Sequence, residues 1–111
     1  MQSVLAQSPV TIVQPCGHLN ASNAAGLQQQ LMVAVSSQSS SAVLVDMSQV
    51  ESLDSAGLMA LVSALTRSQR LDQRFGLCCV SPSIRIIFEL TQLDRVFEIF
   101  DSRSAFEIAA A

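Results

Sequence analysis

Residues 43–58, VLVDMSQVESLDSAGL, contain the change of pattern that decides the fold. Their first part belongs to a short apolar run at 42–47 (AVLVDM), rich in β-branched side chains, which is typical of a strand buried on both faces. Asp54 then lies where a helix N-cap is expected. After it, apolar residues repeat at the spacing of one helical face: Leu58, Leu61, Val62 and Leu65. A buried strand followed by a capped amphipathic helix indicates an α/β domain.

The alternation of strands and helices continues on both sides of this stretch. Further strands are predicted at residues 2–6, 10–16, 75–80 and 96–100, and further helices at 24–36, at about 84–90 and after Asp101 or Ser102. Residues 36–41 (SSQSSS) are predicted to be a flexible surface loop. The order β, β, α, β, α, β, α, β, α predicts one domain over residues 1–111. Its central sheet should be mixed and mostly parallel, with about four to five strands and about four helices.

The composition excludes several classes of protein. The chain has 111 residues, of which 50% are hydrophobic and 14% charged, so it can bury one core without disulfides. Its net charge is −3 and its six arginines are scattered, so neither nucleic acid nor a membrane surface is expected as a partner. The N-terminal residues lack a signal-peptide pattern, and no apolar run approaches the roughly 20 residues of a membrane span. We therefore expect a soluble cytoplasmic protein.

The cysteines favour reduced thiols over a disulfide framework. There are three, an odd count, and the chain contains no CxxC pair and a single histidine. Cys78 and Cys79 are adjacent in a predicted strand, so their side chains are expected on opposite faces of the sheet. We expect neither a metal site nor a cofactor.

Two polar segments follow predicted strands, where the functional loops of parallel sheets lie. They are residues 17–20 (GHLN) and 48–55, and both are expected at one edge of the sheet. Ser55 ends the second segment, beside Asp54. Its hydroxyl can be interpreted as part of the helix cap, as a catalytic nucleophile or as the substrate of a kinase.

The nucleophile is the least favoured of these interpretations. It would need His18 as a base, but the GxSxG pattern is absent and the Asp54 carboxylate would repel a developing oxyanion. No catalytic residue is therefore expected. A phosphate on Ser55 would instead face free N–H groups at the positive end of a helix. Because Asp54 and Asp46 are close and no Lys or Arg is expected nearby, a docked partner would sense the added charge.

Four stretches resemble the STAS domain, in particular the small stand-alone anti-sigma-factor antagonists of bacteria. Residues 17–20 (GHLN) resemble the family's Gly-x-Leu-Asp turn, and 43–47 (VLVDM) resemble its central strand. Residues 54–58 (DSAGL) resemble its Asp-Ser-(Ser/Thr/Ala)-Gly-Leu motif, and 80–84 (VSPSI) resemble the segment that leads into the next helix. The four stretches occur in the family's order and spacing, so the resemblance covers essentially the whole chain.

The resemblance implies a partner switch. In that family, the unphosphorylated protein binds a serine kinase that also holds a sigma factor, which frees the sigma factor and regulates transcription, often in response to stress. The kinase phosphorylates the serine after the motif's Asp, here Ser55, and the complex separates. A metal-dependent PP2C-type phosphatase restores the free form. The alternative is a STAS module that is never phosphorylated and serves as a scaffold in a larger assembly, for example a transport complex.

The resemblance also assigns supporting residues. Asp54 caps the helix and shapes the loop, Asp46 braces the end of the central strand, and Gly57 admits the backbone of a partner. His18 and Asn20 are candidates for partner binding, and Asn20 replaces the Asp that is usual in the family's first turn.

Helical spacing adds three more candidates for partner binding. Met59 lies about one turn after Ser55 and off the apolar stripe of its helix. Ile86 and Leu90 form an i, i+4 pair away from the buried face of the following helix. We expect all three side chains to be exposed, as a docking patch would require.

Overall fold

The computed structural model describes residues 10–36 and 42–110, apart from the side chain of residue 110. The predicted strand at 2–6 lies outside these residues, as does nearly all of the predicted loop at 36–41. The described helices are α1 (Ala24–Ser36), α2 (Ser55–Arg70), α3 (Pro82–Leu90) and α4 (Arg103–Ala110). The described strands are β1 (Val10–Val13), β2 (Gly17–Leu19), β3 (Ala42–Asp46), β4 (Val50–Leu53), β5 (Arg74–Cys78) and β6 (Glu98–Phe100).

The strands form a four-stranded sheet in the order β1-β3-β5-β6 and a two-stranded sheet of β2 and β4. Every pair of neighbours among the described strands is parallel. This confirms the predicted α/β fold with a mostly parallel sheet. The crossover connections carry helices, as parallel strands require.

The two polar segments that were predicted as loops contain the strands β2 and β4, so that prediction was wrong. Each strand is only three or four residues long, too short for a period-2 pattern to be recognised. The two segments pair with each other, with Leu19 opposite Leu53. Gly17 adopts a left-handed φ of 77°, which turns the chain out of β1 and into this second sheet.

Both faces of the four-stranded sheet are covered. Val43 and Val45 of β3 join the larger apolar cluster beneath α1, α2 and α3, whereas Leu44 joins a smaller cluster beneath α4. Every residue of β3 is buried, as the apolar run predicted. The larger cluster is centred on fully buried side chains from all layers: Leu31, Leu61, Leu77 and Phe88.

The ends of the later elements differ from the prediction. Strand β5 ends at Cys78 because Cys79 takes a left-handed φ of 60°, which lies outside regular strand geometry. A 3-10 helix at Leu93–Arg95, which was not predicted, delays the start of β6 to Glu98. None of the helices in the described ranges combines the length and the apolar character needed to cross a membrane.

Candidate functional site

The first turn of α2 is held by Asp54, the predicted N-cap. Its Oδ1 accepts hydrogen bonds from the backbone N–H of Ala56 at 2.9 Å and of Gly57 at 3.1 Å. The backbone N–H of Asp54 donates to the carbonyl oxygen of Leu19 at 3.0 Å. The cap therefore fixes the start of α2 and ties it to the end of β2.

Ser55 is the first residue of α2, and its side chain is exposed. Within the described residues, its hydroxyl makes no hydrogen bond that would have to be broken before a reaction. A free hydroxyl on a rigid helix start is accessible to another protein.

Gly57 allows the start of α2 to lie against the two-stranded sheet. A Cβ at this position would lie 2.8 Å from the carbonyl oxygen of Leu19 and 2.9 Å from the Cδ1 of Leu53. The backbone that Gly57 admits is therefore the chain's own, and Gly57 is buried. The expectation that it admits a partner backbone was wrong, because Leu19 already occupies that space.

The N–H groups at the start of α2 are less available than the sequence suggested. Two of them donate to the Asp54 side chain, and the N–H of Leu58 donates to the Asp54 carbonyl oxygen at 2.9 Å. A phosphate on Ser55 would have to compete with the Asp54 carboxylate for the same donors. The expectation of free N–H groups was therefore too broad, because Asp54 accepts three of the first four N–H groups of the helix.

Asp46 lies buried at the end of β3. Its Oδ1 accepts the N–H of Ser48 at 2.9 Å, and its Oδ2 accepts a bond from Arg103 Nε at 2.7 Å. Burial alone would raise the pKa of this carboxyl, but the hydrogen bonds from Ser48 and Arg103 outweigh it and hold the pKa below its ordinary value. Asp46 thus braces the turn after β3 and the start of α4.

Arg103 is the residue of this region that sequence reasoning missed. It lies 57 residues from Asp46 along the chain, so no local pattern indicates the ion pair. Arg103 lies beside Asp46 because the sheet order brings the start of α4 to the end of β3. That no Lys or Arg lies close enough to pair a phosphate on Ser55 stays a prediction. The hydrogen bond to Asp46 raises the pKa of the Arg103 guanidinium.

His18 faces β4 instead of Ser55. Its Nδ1 lies 2.7 Å from the Ser52 hydroxyl, and its Nε2 lies 3.9 Å from a carboxylate oxygen of Glu51. Both side chains are exposed, at 63% for His18 and 70% for Glu51. The base that a Ser55 hydrolase would need is therefore engaged with a different serine.

Asn20 organises the turn between β2 and α1. Its Oδ1 accepts bonds from the N–H and the hydroxyl of Ser22, at 2.9 and 2.6 Å. Its own N–H donates to the side chain of Asn23 at 2.9 Å. The Asn20 amide oxygen accepts the hydrogen bonds that an Asp carboxylate would accept in this turn, but it carries no negative charge.

The three apolar candidates are exposed, as their helical positions predicted. Met59 of α2 is 56% exposed, and on α3 the values are 51% for Ile86 and 80% for Leu90. Val96, which directly follows the 3-10 helix, is a further exposed apolar residue, at 50%, and was not predicted.

Comparisons with known proteins agree with this architecture. The model of the STAS domain family matches residues 2–105. An anti-sigma factor antagonist from Mycobacterium paratuberculosis is similar at 27% identity and a TM-score of 0.81, over 94% of this chain and 86% of its own. An anti-sigma-factor antagonist (STAS) domain protein from Planctomyces limnophilus shares the fold at 21% identity and a TM-score of 0.79, over 93% of this chain and 92% of its own. Part of the murine anion transporter Slc26a9 also shares it, at 17% identity and a TM-score of 0.77, over 89% of this chain and 17% of the transporter.

Proposed function

The chain belongs to the STAS domain family, and we propose that it acts in the cytoplasm as an anti-sigma-factor antagonist in a partner-switching cascade. In this proposal it binds a serine kinase that acts as an anti-sigma factor and is released when that kinase phosphorylates Ser55. The observation that carries the proposal is the exposed Ser55 hydroxyl at the first residue of a helix capped by Asp54.

The unphosphorylated surface suits a protein partner. Ser55 and Met59 are four residues apart on α2 and so lie on one side of the helix, one turn from each other. A neutral hydroxyl next to a 56% exposed Met side chain can be buried against a partner at little electrostatic cost. His18 and Asn20 near the end of β2, and Ile86 and Leu90 on α3, are the further candidates for this contact.

Phosphorylation would change this surface more than the fold. The phosphate brings about −1.5 to −2 charges and lies beside the Asp54 carboxylate, which already occupies the N–H groups of the first turn. Because Asp54 already accepts three of the first four N–H groups of α2, the new charge needs water around it. A partner that buries Ser55 would remove that water, so the phosphorylated protein dissociates. A PP2C-type phosphatase then restores the binding form.

The test is phosphorylation and binding with the kinase captured from the native cell. We expect incubation with this kinase and ATP to add one phosphate, measured by intact mass spectrometry. Ser55→Ala should abolish the addition, and Ser55→Glu should weaken kinase binding at least about tenfold, which is about 1.4 kcal/mol. Ser52→Ala is the matched control for the phosphorylation measurement, because it removes an exposed hydroxyl three residues earlier; it does not serve the binding measurement, since this hydroxyl contacts His18. Full phosphorylation of the Ser55→Ala protein would refute the proposal.

The docking surface has its own test. Met59→Glu should weaken kinase binding, because it buries a carboxylate in the contact, and should leave the melting temperature within a few degrees of the native one. Val33→Glu is the control, since Val33 is also an apolar residue in a helix and is 68% exposed, but it lies on α1. Equal effects of Met59→Glu and Val33→Glu on kinase binding would mean that the kinase does not contact the surface around Met59.

A second candidate function is a STAS module that works without phosphorylation. The fold alone supports it, because the same fold forms part of a murine anion transporter. This function predicts that partner binding survives both Ser55→Ala and Ser55→Glu. The binding measurement described above therefore separates the two candidates.

A further inference from the structure

Cys78 and Cys79 lie on the same side of the sheet, against expectation. Both contribute to the smaller apolar cluster beneath α4, where Phe106 packs. Adjacent residues of a continuous strand would point to opposite faces, but β5 ends at Cys78 and Cys79 has a φ of 60°. The two sulfur atoms are therefore only 3.7 Å apart.

The backbone conformation at Cys79 is uncommon for a residue with a side chain. A left-handed φ is the usual place for glycine, and non-glycine residues held there occur disproportionately at functional sites. Here the conformation has one clear consequence, which is to bring two thiols together. Cys79 is partly exposed and Cys78 is buried, so Cys79 is the side of the pair that solvent can reach.

A carboxylate completes the group. One oxygen of Asp46, Sγ of Cys78 and Sγ of Cys79 all lie within 4.8 Å of one another. In tetrahedral coordination with metal–sulfur bonds of about 2.3 Å, two sulfur ligands are about 3.8 Å apart. The observed separation of 3.7 Å is close to this bite.

We propose that Cys78, Cys79 and Asp46 form a binding site for one thiophilic divalent cation of the Zn²⁺ class. The two thiolates are the principal ligands, the carboxylate is the third, and a water molecule or a partner's side chain takes the fourth position. The ion replaces the thiol protons when it binds, as in other thiolate sites. Burial raises the pKa of Cys78 to about 12, so without an ion this thiol is neutral.

Arg103 makes the site dependent on the start of α4. Its guanidinium holds Asp46 Oδ2 at 2.7 Å and so competes with the ion for the carboxylate. Asp46 and Arg103 together carry no net charge, and two thiolates neutralise a divalent ion, so the complete group is neutral. Because the guanidinium competes for the carboxylate, its removal should free Asp46 for the metal and strengthen metal binding.

The experiment measures binding of Zn²⁺ by calorimetry, and of Co²⁺ by its sulfur-to-metal absorption, on the full chain with a phosphine reductant at one slightly alkaline pH. We expect one ion per chain. Cys79→Ser should weaken binding more than about 100-fold, beyond the loss typical of an outer-sphere partner. Circular dichroism checks that the variant is folded, which a substitution at a partly exposed residue should permit.

Two further variants keep the proposal falsifiable. Cys16→Ser is the matched control, because this exposed thiol lies outside the group, and it should leave the affinity unchanged. Arg103→Gln should raise the affinity severalfold. Binding that is lost in Cys16→Ser but retained in Cys79→Ser would overturn the proposal, as would the absence of cobalt–thiolate absorption in the native protein.

Discussion

At the scale of single residues, Gly57 decides how closely α2 approaches the two-stranded sheet. A Cβ in Gly57→Ala would lie 2.8 Å from the carbonyl oxygen of Leu19, which is backbone and cannot rotate away. We expect a loss of about 1–3 kcal/mol in the free energy of unfolding, as overpacking typically causes. Urea denaturation followed by far-UV circular dichroism measures it.

Gly26 provides the matched control for this prediction. It is a glycine within helix α1, and a Cβ there meets nothing within 4 Å. Gly26→Ala should therefore stabilise the protein by about 0.5–1 kcal/mol, because alanine favours the helix. A Gly57→Ala protein as stable as the Gly26→Ala protein would contradict the steric argument.

Asp46 should contribute a pH-dependent part of the stability. Its pKa is lower in the folded protein than the ordinary value of about 3.9, so folding favours the ionised carboxylate. The contribution is complete above the unfolded-state pKa and is lost as the pH falls through the folded-state pKa. The difference in unfolding free energy between the native protein and Asp46→Asn should therefore be largest near neutral pH and shrink below about pH 4. A difference that is constant from neutral to acid pH would exclude this role.

The candidate site shows which residues the sequence could indicate. The Asp54 cap depends on neighbours within four residues, so local pattern was sufficient to predict it. The contact of Arg103 with Asp46 and the space around Gly57 depend on residues distant in the chain. Such contacts are set by how elements pack, and periodicity carries no information about them.

At the scale of elements, α4 is held on the sheet mainly by Phe106. Its ring lies against Gly76 of β5, and the ring centroid is 3.8 Å from the guanidinium carbon of Arg74. An N–H of the same guanidinium donates a hydrogen bond to the Phe106 carbonyl oxygen at 3.0 Å. Phe106 is fully buried. Phe106→Ala should cost about 3–5 kcal/mol in the free energy of unfolding, measured by urea denaturation.

The same helix offers a control. Ile108 is 75% exposed, so Ile108→Ala removes a comparable apolar side chain from α4 without opening the core. We expect a change within about 0.5 kcal/mol. Similar losses for Ile108→Ala and Phe106→Ala would contradict the packing argument, because alanine favours the helix at both positions and only the buried ring should be missed.

Elements differ in how well the sequence predicted them. The longer helices and the inner strands β3 and β5 have either an apolar period or a continuous apolar run. All four helices and the strands of the main sheet lie within a few residues of their predicted positions. Strands β2 and β4 stabilise each other by pairing, and neither has a pattern of its own. The positive φ of Cys79 places its thiol on the same face of the sheet as the thiol of Cys78, and no side-chain pattern predicts this torsion.

At the scale of the whole molecule, β3 connects the two apolar clusters. Its residues alternate between the larger cluster under α1, α2 and α3 and the smaller one under α4, so neither cluster can open without exposing part of this strand. We therefore propose that residues 1–111 unfold as one cooperative unit. The proposal distinguishes a single domain from a stable core with a loosely attached C-terminal helix.

Thiol labelling tests this cooperativity. In a Cys16→Ser, Cys79→Ser background, Cys78 is the one remaining thiol, and it is fully buried in the smaller cluster. Far-UV circular dichroism instead reports mainly α1 and α2, which are the longest described helices. If the chain unfolds in one step, the fraction of Cys78 labelled by a short pulse of reagent after equilibration in urea and the loss of the helical signal should have the same urea midpoint. Labelling at a clearly lower urea concentration would show that α4 detaches first, because α4 is the described helix that covers Cys78 on that face of the sheet.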